Sequence, residues 1–191
     1  MQDIHTPSDN DLIIEARKGN DAAFTALVHR YDRKVLGTIA NYFNSSDDAK
    51  DVYQDVFIRV YKGLQKFEFR SEFSTWLFRV TTNVCLTHKA RSKNFELKRI
   101  YPEDDDGAQA PVAAEEHGPD RQFATSELRG RMDAAIESLP PKQKMVFVLK
   151  HSNEFKIREI AEIMNCTEGT VKKYLFLAVN SLRLKLKGIT E

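Results

Sequence analysis

Apolar residues recur three and four positions apart along most of this chain, which is the spacing of one face of an α-helix. The clearest case runs from Glu154 to Lys187, where two such stretches are separated by the polar pair Asn165-Cys166. Thr167 follows that pair and suits the N-cap position, because its hydroxyl can accept from an amide one turn on. A short helix, a tight turn and a longer helix predict a helix-turn-helix, whose second helix lies in the major groove of DNA.

An ordinary αα-hairpin has the same pattern, so the rest of the chain must decide between the two interpretations. Gly169 lies in the first turn of the predicted second helix, where glycine costs about 1 kcal/mol relative to alanine. A glycine there is sensible if another helix must pass close to Gly169.

Further helical stretches precede this one. We expect helices that begin at Ser8, at Asn20, at Ser46 and at Ser71 or Ser74, with a stop at Gly19 and the third helix reaching about Lys66. Helical periodicity resumes from Asp120 to Ser138, and Pro140-Pro141 ends it, with Pro141 well placed to start the next helix.

Residues 102–119 are rich in Ala, Gly, Pro and acidic side chains and contain few large apolar residues. Such a segment cannot bury enough apolar surface to offset the entropy of ordering. We therefore predict an all-α protein with two small helical domains joined by a flexible acidic linker, the C-terminal domain being the helix-turn-helix. The predicted boundaries are 8–99, 100–122 and 123–187.

Charge is distributed unevenly over the 191 residues, of which 41% are hydrophobic. The window from Tyr101 to Glu127 carries a net charge of −7, so the remainder carries +8 although the whole chain carries only +1. Two basic blocks are thus separated by an acidic one, and basic blocks indicate an anionic partner such as nucleic acid.

Several function classes have no support in the sequence. No apolar run approaches the roughly 18 residues of a membrane helix, and the N-terminus lacks a secretory signal, so we expect a cytoplasmic protein with no membrane insertion. Cys85 and Cys166 are far apart and are expected on apolar helix faces, free, in a reducing compartment. Neither a zinc-ligand spacing, a phosphate-binding glycine loop nor a nucleophile motif is present, so we expect no metal, no cofactor and no catalysis.

Two stretches are candidates for partner binding. One face of the third helix carries Asp51, Gln54, Asp55 and Arg59, and is either a solvated surface or a docking surface. The segment 65–74 interleaves aromatic and basic residues, as single-stranded nucleic acid requires for base stacking and phosphate contacts. If it binds in this way, Phe67 and Phe69 should be exposed, whereas Phe73 and Trp76 should be partly buried.

Three segments in this order resemble the extracytoplasmic-function (ECF) sigma factors of bacterial RNA polymerase. They are DDAKDVYQDVFIRVYKGLQKF, which resembles the core-polymerase-binding helix; FRSEFSTWLFRVTTNVCLTHKAR, which resembles the promoter-melting segment; and LPPKQKMVFVLK followed by IREIAEIMNCTEGTVKKYL, which resembles the domain that reads the minus-thirty-five element. The resemblance implies a subunit that binds core polymerase, directs promoter recognition and initiation, and is held by an anti-sigma factor in a stress or envelope response.

The resemblance also implies residue roles. The core-binding residues would be Asp51, Gln54, Asp55, Phe57 and Arg59. Those at the minus-ten element would be Phe67, Arg70, Phe73, Trp76, Arg79, Asn83, Lys89 and Arg91. Those at the minus-thirty-five element would be Thr167, Thr170, Lys172, Lys173 and Tyr174.

The recognition helix departs from the family, which usually has arginines where this chain has Tyr174, Leu177 and Val179. Bidentate arginine–guanine contacts are the commonest direct readout of DNA, and they are largely absent here. We therefore expect upstream recognition to depend on backbone contacts and DNA shape. The apolar side chains of Phe176 and Leu177 could instead bind a protein such as an anti-sigma factor.

A stand-alone helix-turn-helix regulator is the alternative function. Regulators of that class normally dimerise to read two half-sites. That reading would leave the aromatic and basic middle segment and the acidic third helix without a role.

Overall fold

The computed structural model describes residues 6–43, 46–100 and 130–187, with side chains described at 6–43, 47–92 and 130–187. Over those ranges every regular element is a helix, which confirms the all-α prediction. The elements are α1 (Asp9–Arg17), α2 (Asp21–Tyr42), α3 (Ser46–Leu64), α4 (Phe73–Ile100), α5 (described over 130–137), α6 (Pro141–His151), α7 (Ile157–Met164) and α8 (Glu168–Leu186). Apart from Ile100, the predicted linker lies outside the described residues.

Helix starts follow the capping chemistry of the sequence. Ser8 and Asp11 form a capping box, in which the Ser8 hydroxyl accepts from the Asp11 amide at 3.2 Å and the Asp11 carboxylate accepts from the Ser8 amide at 3.0 Å. Asn20 caps α2 by accepting from two amides, and Gly19 ends α1 at a φ of +91°, a conformation that glycine adopts freely. Thr167 caps α8 as predicted.

Two predicted bounds differ from the structure. The fourth helix begins at Phe73, at neither of the two predicted serines, and its first turn is closed by the Trp76 amide donating to the Glu72 carbonyl at 3.2 Å. The third helix ends at Leu64, two residues before Lys66. Its end is tightened by the amides of Lys66 and Phe67, which donate to carbonyls three residues back.

The first four helices pack around the apolar faces of α2, α3 and α4. Val35 and Ile39 on α2 and Val52 and Val56 on α3 are fully buried, as is Leu77 on α4. The end of α1 is tied to the loop after α3, because the Arg17 guanidinium donates to the carbonyls of Leu64 and Phe67. This half therefore holds α3 with its valine stripe inward and its polar stripe outward.

The last four helices form the helix-turn-helix unit. Met145 and Leu149 of α6 pack with Ile160 of α7 and Val171 of α8, all of them fully buried. A smaller apolar cluster joins α5, α6 and α8; its buried members are Ala135, Leu139, Ala178 and Leu182. Asn165 closes the turn in the left-handed region, at a φ of +49°.

The two halves share one hydrophobic cluster instead of standing apart. Helix α4 packs against α7, and α2 packs against α6. The rings of Phe78 and Phe155 meet edge to face at 4.8 Å between centroids, and the Thr38 hydroxyl lies 3.0 Å from the Asn153 side-chain oxygen. The chain is therefore closed, with the helix-turn-helix seated on the first half.

Two local expectations are wrong. A Cβ placed on Gly169 would meet only the Thr167 hydroxyl, at 3.7 Å, so no neighbouring helix approaches there. Cys166 lies half-buried in the turn between α7 and α8, where the polar pair Asn165-Cys166 predicts a turn, and not on a helix face; Cys85 is buried on α4, and both thiols are free. Burial raises the pKa of Cys85 to about 12.

Two helical glycines provide a test of the packing between α3 and α4. A Cβ on Gly37 would meet nothing within 4 Å, whereas a Cβ on Gly63 would lie 3.0 Å from the Trp76 indole. Gly37→Ala should therefore raise the free energy of unfolding by about 0.5–1 kcal/mol, since it removes the backbone entropy of glycine without a clash. Gly63→Ala should gain less or lose stability, because Trp76 must move.

Urea unfolding followed by circular dichroism measures both changes, and each variant is the control for the other. Equal gains would contradict the contact between Gly63 and Trp76.

Candidate nucleic-acid and polymerase interface

Helix α3 presents a mixed acidic and apolar face to solvent. Val52, Val56 and Val60 are buried on one side of the helix. Of the residues predicted for polymerase binding, Asp51, Gln54 and Arg59 are exposed and Asp55 is half-buried, whereas Phe57 is half-buried against the core. Asp55 and Arg59 form an ion pair at 3.0 Å.

Ile58 and Tyr61 are also exposed on this face. Sequence reasoning did not include them, although their spacing of three and four from Gln54, Asp55 and each other places them on the same stripe. The face can thus offer carboxylates for cationic partners and apolar surface beside them.

The aromatic segment before α4 is mostly packed inward. Phe67 is 5% exposed, so the prediction that it is exposed is wrong, and Phe73 is fully buried instead of partly buried. The Phe67 ring lies 5.1 Å from Phe69, 6.0 Å from Phe73 and 5.2 Å from Trp76, between centroids. The turn after α3 places this ring over the start of α4. The local spacing of hydrophobic residues does not predict that placement.

Phe69 and Trp76 keep accessible surface, as expected. Phe69 is exposed at a φ of +55°, and the Arg17 guanidinium carbon lies 4.9 Å from its ring centroid. Trp76 is half-buried, and Arg70 is exposed in an ion pair with Glu68 at 2.8 Å. These three side chains therefore keep surface that is open to a ligand.

Arg79 on α4 is engaged by the helix-turn-helix. Its Nε and Nη2 both donate to the Glu162 carbonyl, at 3.1 and 2.8 Å. Glu162 lies in the last turn of α7, where unsatisfied carbonyls give a partial negative charge that favours a cation. A residue predicted to read the minus-ten element therefore binds the other half of the same chain.

A cleft of about 320 Å³ lies between α4 and the start of α8. Asn83 of α4 lines one side, and Thr170 and Tyr174 of α8 line the other. Side chains predicted for two different promoter elements therefore face each other across one cleft. Arg91, farther along α4, is exposed.

A charged cluster joins the halves at a second point. Glu137 of α5 accepts from Lys89 of α4 at 2.6 Å and from Lys144 of α6 through its other carboxylate oxygen. Lys144 is only 3% exposed, and its Nζ lies 5.4 Å from the ring centroid of Tyr42 on α2. Lys89, predicted for DNA, is thus half-buried in an ion pair.

The pKa values of this cluster shift for opposing reasons. Burial disfavours the charge on Glu137, but hydrogen bonds from Lys144 and Lys89 outweigh it, so the pKa of Glu137 is lowered from 4.5. Burial lowers the pKa of Lys144, and its hydrogen bond to Glu137 opposes that shift only in part. Sequence reasoning missed the cluster, although a lysine directly before the apolar run 145–149 was a signal.

The exposed side of α8 carries Lys172 and Lys173, with Phe176 and Leu177 beside them, whereas Val171 and Ala178 face inward. Thr167 and Thr170 are bonded to each other through their hydroxyls at 3.0 Å. The start of the recognition helix is therefore ordered by its own cap.

Comparison with known proteins identifies these two halves. Residues 27–95 match the family model described as Sigma-70 region 2, and residues 129–182 match Sigma-70, region 4. The chain is 32% identical over 186 residues to the ECF RNA polymerase sigma-E factor of Escherichia coli K12, covering 95% of this chain and 96% of that protein. The chain belongs to the ECF group of the sigma-70 family.

As a sigma factor, it binds core RNA polymerase and directs promoter recognition and transcription initiation. It is also 29% identical over 183 residues to the RNA polymerase sigma-H factor of Pseudomonas aeruginosa, with 95% of each chain covered.

Two solved structures share the fold of this sigma factor. CnrH in complex with the cytosolic domain of CnrY matches with a TM-score of 0.66 and 21% identity, covering 95% of this chain and 99% of that one. The sigma factor RpoE in complex with the anti-sigma factor NepR from Bartonella quintana matches with a TM-score of 0.61 and 21% identity, covering 86% of this chain and 96% of that one.

Two kinds of feature are absent from the part of the chain that the structure describes. None of the helices in ranges 6–43, 46–100 and 130–187 is long and apolar enough to cross a membrane. Within the same part of the chain, no group of three or more His, Cys, Asp or Glu could hold a metal ion.

Glu137→Gln should weaken the closed arrangement of the sigma factor. The change keeps the shape of the side chain but leaves the buried Lys144 charge without its counter-ion, which should cost about 1–3 kcal/mol. Fluorescence energy transfer between dyes on α4 and α8 should report a larger separation, and urea unfolding should report the lower stability.

The matched control is Glu162→Gln, which removes an exposed i,i+4 pair with Arg158 and should change stability by less than about 0.5 kcal/mol. Equal effects of the two changes would contradict the role of the buried cluster.

The same cluster predicts a pH dependence. Because the folded pKa of Glu137 lies below its ordinary value of 4.5, its stabilisation is fully present above that value and is lost as the pH falls through the lowered pKa. The stability difference between the wild type and Glu137→Gln should therefore shrink steadily below pH 4.5. Urea midpoints of both proteins across that range measure it, and a constant difference would refute the prediction.

Proposed function

We propose that this chain docks on core RNA polymerase through the exposed face of α3, with Asp51, Gln54, Asp55, Phe57 and Arg59 as contacts and Ile58 and Tyr61 beside them. The observation that carries the proposal is that carboxylates and exposed apolar side chains share that face. Apolar burial would supply affinity, and the carboxylates would orient the chain on a cationic surface.

The minus-ten element would be held by α4 and the turn before it. Because Phe67 and Phe73 are buried, we assign them to positioning the segment, and we assign base stacking to Phe69 and Trp76. A flipped base costs a few kcal/mol of unstacking, which stacking and edge hydrogen bonds recover. Arg70, Arg79, Asn83, Lys89 and Arg91 would contact the strand or its phosphates.

The minus-thirty-five element would be bound by Thr167, Thr170, Lys172, Lys173 and Tyr174 at the start of α8. In the closed chain Arg79 and Lys89 are bonded to the second half, and Asn83 faces Thr170 across the cleft. Free protein should therefore bind promoter DNA weakly. Docking on the polymerase would separate the halves and uncover the minus-ten contacts on α4.

An anti-sigma factor would control the chain. Two proteins of the same fold are described in complexes, CnrH with the cytosolic domain of CnrY and RpoE with the anti-sigma factor NepR. We propose the same mode of control here, in the cytoplasm and with no catalysis by the chain itself.

The direct test is to add the purified chain to sigma-free core polymerase and map transcription starts across a genome. Selective starts are expected. A stand-alone regulator of the helix-turn-helix class would instead bind duplex DNA without polymerase and leave start sites unchanged.

Asp51→Arg combined with Asp55→Arg should abolish binding to core polymerase, because charge reversal on the docking face converts attraction into repulsion. Both positions face outward, so far-UV circular dichroism should be unchanged. Co-purification with core polymerase measures the loss, and we expect at least about a hundredfold weaker binding, equivalent to about 2.7 kcal/mol.

The matched control reverses two exposed acids elsewhere, Glu15→Arg with Asp21→Arg, for the same change in net charge. That control should bind normally. Retained binding by the α3 variant would remove the assignment of this helix.

A further inference from the structure

Two apolar side chains are exposed on the first three turns of α8. Phe176 is 66% exposed and Leu177 is 38% exposed. They follow Lys172 and Lys173 at spacings of three to five residues, so the four side chains form one patch on the first three turns of α8. The patch lies opposite the buried Val171 and Ala178, and α4 does not cover it in the closed chain.

The chemistry of this patch differs from hydrogen-bonded base readout. Phenylalanine and leucine neither donate nor accept hydrogen bonds, so they cannot read the polar edges of guanine, adenine or cytosine. The apolar group that a base pair presents in the major groove is the C5-methyl of thymine. The two lysines beside the patch have the reach and charge for the flanking phosphates.

On the basis of the proposed function, we propose that Phe176 and Leu177 select thymines in the minus-thirty-five element by contact with their C5-methyl groups. Specificity at those positions then comes from apolar contact with thymine methyl groups and does not require a guanine. Lys172 and Lys173 bind the backbone on either side and set the register of the helix.

The position of Leu184 distinguishes thymine readout from binding of a protein partner to the same side of α8. It is 70% exposed on the same side of α8. It lies eight residues beyond Phe176, or about 12 Å along the helix axis, which is about the full width of the major groove. A helix of a protein partner would need all three apolar side chains, whereas thymine readout uses only the first two.

The test uses holoenzyme assembled from core polymerase and the full chain, on a promoter taken from the mapped starts. Each thymine of the upstream element is replaced in turn by deoxyuracil, which removes only the methyl group. At one or two positions, wild-type holoenzyme should lose about three- to fourfold in promoter affinity, the value of one buried methyl group. Deoxyuracil in the spacer is the DNA control and should have no effect.

The variants Phe176→Ala and Leu177→Ala should bind thymine and deoxyuracil promoters equally, and Leu184→Ala should keep the wild-type preference. All three positions are exposed, so the fold is retained and far-UV circular dichroism verifies it.

If deoxyuracil at every upstream position leaves the promoter affinity of the wild-type holoenzyme unchanged, the inference is overturned. The proposed function stays intact as long as the chain still selects transcription starts. Loss of the preference in Leu184→Ala would likewise overturn the inference, because the methyl readout would then not be confined to Phe176 and Leu177. Absence of selective starts would remove both proposals.

Discussion

The packing of α4 against α7 is the constraint on which the rest of the arrangement depends. It joins the apolar cores of the two halves into one cluster, and it brings the Arg79 guanidinium onto the end of α7. Because apolar burial is non-directional, such a surface alone would allow the halves to slide. The bidentate donation of Arg79 to one carbonyl and the edge-to-face contact of Phe78 with Phe155 select a single register.

The Lys89–Glu137–Lys144 cluster adds specificity more than stability. Burying charges is costly, and a buried ion pair often contributes little beyond what an apolar replacement would. Its value here is that it is complete only in the closed chain, where α4, α5 and α6 each supply one charge. A contact of that kind holds one arrangement and is readily broken when a competing surface offers better partners.

The closed chain leaves its surfaces unequally accessible. The acidic and apolar face of α3 points to solvent, and so does the outer face of α8. The candidate minus-ten contacts Arg79, Asn83 and Lys89 face the second half or bond to it. Under the proposed function, polymerase would be bound before the melted promoter strand, because the α3 face is open in the free protein and the candidate minus-ten contacts are not.

Local chemistry in the sequence determined the helical fold class, the caps at Ser8, Asn20 and Thr167, the helix-turn-helix and the polar stripe of α3. Each of these depends on neighbours within about four residues, where periodicity and capping rules apply. Tertiary structure decided the rest: that Phe67 and Lys144 are buried, that the space around Gly169 is open, and that Asn83 and Thr170 line the same cleft. These features depend on helix packing and chain turns. Asn83 and Thr170 are 87 residues apart and Tyr42 and Lys144 are 102 residues apart, and no local pattern encodes which surfaces such distant helices will share.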